Sequence, residues 1–350
     1  MPGTVLIAGV SRHLGGAFAR RLSNDESVSR IIGVDVVPPR HGIGRADFVR
    51  ADIRSPLIGR IIGDNEVDTV VHAGVIATPR AGGGRATQKE INVIGTMQLL
   101  AACQKAPSVR KLVVKSTAGV YGSSPRDPAM FTEDMSAKRL PPAGWARDSV
   151  EVEGYVRGFA RRRPDVEITT LRFANVIGPR VRTAMTEHFS LPVIPIPMGF
   201  DARLQFVHED DCVAAMAHAV SNPGVGAVNV VGDGIITASQ AANISGRPYA
   251  LVPRMSTGAI AGVAKRLGLV DIGADQIDML TFGRGLDTTR MHDEMGFEPV
   301  YSSRAAFEDF ARSTSGRVLD RLPLGRPGWA AVHATESAMR LVGANDESEK

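Results

Sequence analysis

Short apolar runs alternate with longer segments whose apolar residues recur at helical spacing. The first run, residues 5–8, is followed by Leu14, Phe18 and Leu22, which are four positions apart. Further apolar runs occupy residues 31–35, 47–53, 67–74, 111–114 and 166–171, with amphipathic segments from 57 and from 87. Buried strands that alternate with amphipathic helices are typical of a doubly wound α/β fold with a parallel sheet.

The turn between the first strand and the first helix carries glycines at two key positions, Gly9 and Gly15. In a Rossmann-like turn the first glycine permits a tight bend, and the helix N-terminus offers N–H groups to a pyrophosphate. Arg12 stands where a middle glycine is expected, and it could either bridge the phosphates or block them. An ordinary strand-to-helix turn is the alternative interpretation. The residues of this turn that we expect to contact a dinucleotide are Gly9, Ser11, Arg12, His13, Leu14 and Gly15.

Acidic residues end the second and third predicted strands. Asp35 lies about 20 residues beyond Gly15, where a carboxylate accepts hydrogen bonds from the adenosine ribose. A 2′-phosphate would be repelled there, so the sequence favours NAD over NADP. Asp52 could contact the adenine amino group or cap the following helix.

Composition and charge exclude several classes of protein. The chain has 350 residues, 43% of them hydrophobic and 22% charged, and can bury a full core. The net charge is only +4 and the one tight basic cluster, residues 161–163, falls where a helix should end, so we expect no nucleic-acid partner. Cys103 and Cys212 lie in apolar helical patterns, which favours buried free thiols in a reducing, cytoplasmic compartment and no metal site. The N-terminus lacks the basic flank of a signal peptide, and no apolar run reaches the ~18 residues of a membrane span.

The fourth and fifth predicted strands end in residues suited to a ligand site. Small residues after the fourth strand let a dinucleotide lie against the backbone, whereas the histidine there also has a structural interpretation. Hydroxyls follow the fifth strand, at the carboxyl edge where ligands bind in such folds. The candidates at these two strand ends are His72, Ala73, Gly74, Lys115, Ser116 and Thr117.

Together these motifs resemble the extended short-chain dehydrogenase/reductases, and among them the NAD-dependent epimerase/dehydratase group typified by UDP-glucose 4-epimerase. The resemblance covers roughly residues 4–310 and rests on residues 9–15, 35, 52–53, 70–72, 92–96, 116–122, 171–179 and 206–211. It implies NAD as cofactor and a nucleotide sugar as substrate, with transient hydride transfer.

The same resemblance implies roles for individual residues. Thr117 would contact the reacting sugar oxygen, and Asn175 the phosphates of the sugar nucleotide. An arginine four residues before His208 usually grips the diphosphate; this chain has Leu204 there, with Arg203 one step away as the substitute candidate. The further cofactor contacts that the resemblance implies are Ile53, Asn92, Lys115 and Ser116.

The chain departs from the family where a Tyr-x-x-x-Lys pair and a following glutamate should stand. With Glu153 in place, the tyrosine position is Trp145 and the lysine position is Ser149. An indole does not titrate usefully and a serine carries no charge, so neither can transfer the proton that accompanies hydride transfer. Substitutes from elsewhere in the chain remain open, and the candidates are Lys115, Lys138, Arg147 and Tyr155.

Two hypotheses for the function follow. The first is an epimerase/dehydratase-like enzyme in which Thr117 is the retained hydroxyl and the proton donor is unidentified. The second is a catalytically inactive NAD(H)-binding regulatory or scaffold protein.

The order of the motifs also predicts the domain organisation. We expect a Rossmann domain over residues 1–175, with 205–235 returning to its sheet, and a smaller C-terminal α/β substrate lobe over 176–204 and 236–315. Residues 316–350 form an extension whose last residues we expect to be disordered. Helices beginning near Thr87 and Trp145 carry more apolar residues than one face of a sheet needs, which favours a homodimer.

Overall fold

A seven-stranded parallel sheet forms the centre of the molecule. The computed structural model describes residues 3–75, 85–138, 144–258, 262 and 273–315. The strands of this sheet are β1 (Thr4–Ala8), β2 (Arg30–Asp35), β3 (Asp47–Arg50), β4 (Thr69–His72), β5 (Lys111–Thr117), β6 (Glu167–Phe173) and β11 (Gly226–Val230). Their order is β11-β6-β5-β4-β1-β2-β3, and every pairing is parallel. The predicted Rossmann-like α/β fold is confirmed.

Helices cover both faces of the sheet and build the lobe beyond its edge. They are α1 (His13–Leu22), α2 (Leu57–Asp64), α3 (Arg85–Lys89), α4 (Gly95–Lys105), α5 (Gly144–Arg162), α6 (Ala184–His188), α7 (Glu209–Ser221), α8 (Ala238–Ile244), α9 (Ala274–Phe282) and α10 (Ser303–Ser315). A 3₁₀ turn spans Ala118–Tyr121, a second spans Arg254–Ser256, and π-helical segments span Glu90–Ile94 and Arg290–Glu294. None of the helices within the described ranges is both long enough and apolar enough to cross a membrane.

The alternation of side chains along each strand divides the core into two layers. On one face, Phe18 of α1 and Met216 of α7 pack against residues such as Ile7 of β1. On the other face, Leu99 of α4 and Phe159 of α5 pack with α2. Because both faces are covered, the strands are continuous apolar runs, which is the pattern that made them recognisable in the sequence.

Within the described residues, six short strands lie outside the central sheet and pair in twos. They are β7 (Asn175–Ile177), β8 (Ile194–Pro197), β9 (Arg203–Leu204), β10 (Phe206–His208), β12 (Ile236–Thr237) and β13 (Tyr249–Val252), paired as β7 with β10, β8 with β13, and β9 with β12. A separate apolar cluster that includes Phe189, Phe206 and Phe307 packs β7, β8, β9, β10 and β12 against α8, α9 and α10.

Two elements differ from the sequence-based expectation. The third strand ends at Arg50 rather than at residue 53, because β3 is an edge strand whose register with β2 stops where Asp35 faces Arg50. The helix expected from Thr87 begins at Arg85 and contains the π-helical segment Glu90–Ile94. The extension expected over residues 316–350 lies outside the described residues.

A buried ion pair fixes α5 against the carboxyl end of the sheet. Arg172 Nη2 on β6 lies 2.7 Å from Glu153 Oε2 on α5, and their side chains are 8% and 5% exposed. Ser116 Oγ donates to Glu153 Oε1 at 2.6 Å, and Arg172 Nη1 donates to Tyr121 Oη at 2.8 Å. Burial alone would lower the pKa of Arg172, but the hydrogen bond and the charge of Glu153 outweigh it and raise that pKa. The pair therefore joins α5, β5 and β6 at one point.

Removing one partner of this pair should cost far more stability than removing a surface ion. In Glu153→Ala, Arg172 stays buried without a carboxylate, so we expect the free energy of unfolding to fall by about 3–5 kcal/mol in denaturant titrations. The control is Glu308→Ala. In the wild type the Glu308 carboxylate pairs with Arg304, and the two side chains are 38% and 63% exposed, respectively. The control should lose less than about 1 kcal/mol. Equal losses in the two variants would contradict the assignment.

Candidate active site

The turn after β1 approaches the end of β4 closely enough to require glycine. Gly9 has φ +91°, and a Cβ there would lie 2.4 Å from the Cα of Gly74. A Cβ on Gly15 would lie 2.2 Å from the Gly9 carbonyl oxygen. Because neither glycine carries a side chain, only their backbone atoms face the carboxyl edge of the sheet. The turn has the cradle that a pyrophosphate requires, with Ser11, Arg12, His13 and Leu14 between the two glycines.

Arg12 fits the turn without strain although it replaces a glycine. It precedes α1 with φ −77° and ψ 154°, an extended conformation that any residue adopts. Its side chain is half-buried. Burial lowers the pKa of Lys115 on β5, and the nearby positive charge of Arg12 lowers that pKa further. Arg12 therefore adds a cation to the edge that runs from α1 to β5.

Asp35 presents its carboxylate to the same turn from the end of β2. Its Oδ2 accepts the N–H of Ser11 at 3.1 Å, and its Oδ1 accepts the N–H of Val36 at 2.8 Å. Ser11 Oγ in turn donates to the Val37 carbonyl at 2.5 Å. The buried carboxylate is thus oriented by backbone donors, which is the arrangement that the ribose contact requires.

Asp52 and Ile53 follow β3 and lie next along the edge. Arg54 Nη2 is 2.6 Å from Asp52 Oδ2, and the hydrogen bond from Arg54 lowers the pKa of Asp52 despite some burial. A Cβ on Gly95 would lie 2.7 Å from Ile53 Cδ1, so the glycine of α4 admits the side chain of Ile53. This contact gives a packing reason for a glycine whose role the sequence left open.

His72 and Asn92 are buried in contacts with neighbouring helices. His72 Nε2 lies 2.7 Å from Thr96 Oγ1, and burial, aided by the charge of Lys115, lowers the pKa of His72 to about 4. Asn92 Nδ2 donates to Asp148 Oδ2 on α5 at 3.3 Å. The backbone of Ala73 and Gly74, rather than these two side chains, faces the turn after β1: the Ala73 N–H donates to the Ala8 carbonyl at 2.9 Å.

A cleft of about 340 Å³ opens between the carboxyl edge of the sheet and the lobe. Lys115, Ser116 and Thr117 line it from the end of β5, and Leu14 lines it from α1. Asn175 lines it from β7, where its Nδ2 donates to the Gln205 carbonyl at 2.9 Å. The structure thus brings the residues predicted for the reacting centre into one cleft.

Trp145 and Ser149 line the cleft from α5, as their alignment predicts. The indole lies over Gly119, where a Cβ would be 2.6 Å from Trp145 Cη2. Its buried Nε1 has no hydrogen-bond partner within the part of the chain that the structure describes. Ser149 Oγ donates to the Trp145 carbonyl at 2.9 Å. Neither side chain can carry the proton: the indole of Trp145 does not titrate usefully, and the Ser149 hydroxyl is hydrogen-bonded to the carbonyl one turn earlier in the same helix.

The cation expected from Arg203 does not reach the cleft. Arg203 lies on β9 with an exposed side chain, opposite Thr237, and is not among the residues that line the cleft. Arg284, which follows α9, lines the cleft and donates to the Gly122 carbonyl at 2.8 and 2.5 Å. Burial lowers the pKa of Arg284 to about 10, still a cation at neutral pH. Nothing in the sequence around Arg284 marked it as a site residue.

A second contact that sequence analysis missed joins the two sides of the site. Glu209, the first residue of α7, is 1% exposed and accepts a very short hydrogen bond from His13 and a backbone N–H from Arg180 at 2.9 Å. Burial would raise the pKa of Glu209, but the hydrogen bonds from His13 and Arg180 lower it. The start of α1 is therefore tied to the loop that leads into α6.

Comparison with known proteins identifies relatives over most of the chain. An uncharacterized protein of Mycobacterium tuberculosis is 44% identical over 315 residues, which is 89% of this chain and 84% of that protein. A UDP-glucose 4-epimerase of Mycolicibacterium smegmatis is 26% identical over 314 residues, 84% of this chain and 93% of that enzyme.

Solved structures share the fold at low identity. A UDP-glucose 4-epimerase from Thermotoga maritima, determined with UDP-glucose, superposes with a TM-score of 0.69 at 20% identity, over 90% of this chain and 99% of that one. A UDP-glucuronic acid 4-epimerase from Bacillus cereus, in complex with UDP-glucuronic acid and NAD, gives a TM-score of 0.67 at 17% identity, over 89% and 99%.

The family assignment rests on a match to more than half of the chain. The sequence profile of the NAD dependent epimerase/dehydratase family matches residues 5–232. This range contains the turn after β1, the carboxylate at the end of β2 and the residues at the end of β5. The resemblance inferred from the motifs is confirmed, and with it NAD as the cofactor of the family. The chain belongs to the NAD dependent epimerase/dehydratase family.

Proposed function

We propose that this chain is an NAD-dependent enzyme that acts on a nucleotide sugar by transient hydride transfer. One observation carries the proposal: a single cleft joins Thr117, at the end of a central strand, to Asn175 and Arg284 on the lobe side. A reacting sugar and the anionic diphosphate attached to it need such a pair of environments, a hydroxyl at one end and polar and cationic donors at the other.

The cofactor site on the sheet edge supports this proposal. The turn between Gly9 and Gly15 would hold the pyrophosphate, Asp35 the adenosine ribose, and the backbone at Ala73 and Gly74 the middle of the dinucleotide. NAD supplies a nicotinamide that accepts and returns hydride. The protein then has to position the sugar hydroxyl, exclude water and carry the proton.

Thr117 is suited to positioning the hydroxyl. Its Oγ1 accepts the N–H of Gly119 at 3.0 Å, which fixes the orientation of the side chain and leaves its hydrogen free to donate to a ligand oxygen. The indole of Trp145 closes the cleft beside it with apolar surface.

The second candidate is an NAD(H)-binding regulatory or scaffold protein without turnover. What favours it is that Trp145 and Ser149 occupy the positions that the resemblance assigns to the family's proton-transfer pair. Under this proposal the same cleft would hold cofactor and ligand while no redox change occurs.

One experiment separates the two candidates. The purified chain is mixed with NAD⁺ and then with UDP-glucose or UDP-galactose while the nicotinamide absorbance is followed. The enzyme should produce a rise in reduced nicotinamide that depends on the sugar nucleotide, and the scaffold protein should bind NAD without one. Absence of NAD binding in calorimetry would contradict both candidates.

Cofactor preference should depend on Asp35. Because the carboxylate would face a 2′-phosphate, we expect the wild-type chain to bind NAD more tightly than NADP, and Asp35→Ser to narrow that difference about tenfold or more. The control is Asp47→Ser, at the exposed start of the neighbouring strand β3. Calorimetric titration with both dinucleotides measures the effect, and an unchanged ratio in Asp35→Ser would count against this ribose site.

Affinity for the sugar nucleotide should depend on Arg284 and not on Arg203. A charge-assisted hydrogen bond to a phosphate is worth about 1.5–3 kcal/mol, so Arg284→Met should weaken UDP-glucose binding roughly 10- to 100-fold. Arg203→Met removes an equal charge from the exposed face of β9 and serves as the matched control. Fluorescence or calorimetric titrations of both variants give the comparison, and a larger loss with Arg203→Met would place the phosphates elsewhere.

A further inference from the structure

Lys115 is a lysine at an unusual place, the end of the central strand β5. It is two residues before Thr117, so the two side chains leave the strand on the same face, and both line the cleft. Among the described residues, no other lysine lines this cleft. The accessible part of its half-buried side chain is therefore available to a ligand beside Thr117.

The groups packed around Lys115 provide no counter-charge. The titratable neighbours that act on it or respond to it are Arg12 just before α1, Cys212 from α7 and His72 from β4. Arg12 is a cation, burial keeps the thiol of Cys212 protonated by raising its pKa, and His72 is neutral because its pKa is lowered to about 4. Within the described ranges the ammonium of Lys115 has no carboxylate in ion-pair contact.

The rest of the cleft leaves few alternatives for proton transfer. On α5, Trp145 and Ser149 do not titrate. The other ionisable residues that line the cleft come from the lobe side rather than from the strand that carries Thr117: Arg254, Asp275, Asp278 and Arg284. Lys115 is thus the ionisable group that shares a strand and a face with the hydroxyl at the reacting centre.

We propose that Lys115 is the proton-transfer group of this cleft and takes over the task of the family's missing tyrosine and lysine. The inference rests on the proposed function, since it needs a ligand hydroxyl held by Thr117. During oxidation the ligand O–H bond breaks and an N–H bond forms at Nζ. The hydrogen of the adjacent C–H bond leaves with its electron pair to NAD⁺, the oxidant, and a C=O bond forms. The reverse step returns both.

The electrostatics of the position agree with this role. Burial, together with the charge of Arg12, lowers the pKa of Lys115 from its ordinary 10.5 to about 8. A proton carrier works best when its pKa is close to the working pH. The neutral amine accepts a proton above that pKa, so the rate of oxidation should rise with pH and level off above about 8.

The first test measures the protonation of Lys115 directly. Lysines are converted to ¹³C-dimethyl-lysines and followed by NMR against pH, with the Lys115→Met spectrum assigning the resonance. We expect a midpoint near 8 that moves when NAD⁺ and UDP-glucose are added. A midpoint close to 10.5 that ignores both ligands would overturn the proposal.

The second test measures the reaction in variants. Lys115→Met should slow the UDP-glucose-dependent reduction of NAD⁺ by about 10²–10⁴-fold and abolish its pH dependence. Lys115→Arg keeps the positive charge without a titrating proton and should be as slow, which separates proton transfer from charge. Lys111→Met is the matched control: Lys111 lies on the same face at the other end of β5 and donates to the Val220 and Asn222 carbonyls.

The outcomes separate the two levels of the proposal. Wild-type rates in Lys115→Met, or in Lys115→Arg, would overturn the role of Lys115 while the proposed function stands. A wild-type chain that binds NAD⁺ and shows no redox change with either UDP-sugar would overturn the proposed function, and this inference with it. Circular dichroism spectra and thermal unfolding midpoints equal to those of the wild type show that the fold of both variants is intact.

Discussion

The geometry of the cleft depends on the ion pair between Glu153 and Arg172. Two charges buried this deeply are stable only when their hydrogen bonds are complete, and here Ser116, Tyr121 and the backbone of Glu133 complete them. Because Glu153 lies on α5 and Arg172 on β6, the pair sets how α5 meets the strand ends. The positions of Trp145 and Ser149 relative to Thr117 follow from it. The ion pair thus fixes the frame of the cleft at the point where α5 contributes Trp145 and Ser149 to its lining.

Charge is distributed unevenly along the carboxyl edge of the sheet. At the end of β2, backbone N–H groups orient the carboxylate of Asp35. A carboxylate there accepts hydrogen bonds from ribose hydroxyls and repels a phosphate group. Toward β5 the edge becomes cationic with Arg12 and Lys115, and across the cleft lies Arg284. A dinucleotide and a sugar diphosphate present their charges in a compatible order. The same distribution explains why Arg12 is tolerated in a turn that usually has glycine: its backbone is extended and its charge falls where anions are expected.

Local sequence patterns led to many of the candidate site residues. Contacts between segments that are distant in the chain could not be predicted from such patterns. Gly9, Gly15 and Asp35 were predictable because strand ends and tight turns impose residue types within a few positions. Glu153 sets the spacing along one helix, and from that spacing the resemblance assigns the tyrosine and lysine positions to Trp145 and Ser149. Arg284 and Glu209 could not be found this way, because their roles depend on Gly122 and His13, which are far away in the chain. The π-helical segment at Glu90–Ile94 escaped prediction for a related reason: its buried Asn92 contacts Asp148 on another helix.

The indole over Gly119 has a spectroscopic consequence. Trp145 is one of only two tryptophans in the chain, and its ring lies in the wall of the cleft beside the residues at the reacting centre. Its emission therefore senses the polarity of the cleft, and a reduced nicotinamide nearby would take up its excitation energy. Trp145 thus gives the protein an internal fluorophore in the wall of the cleft, and its emission would report ligand binding and the redox state of a bound nicotinamide.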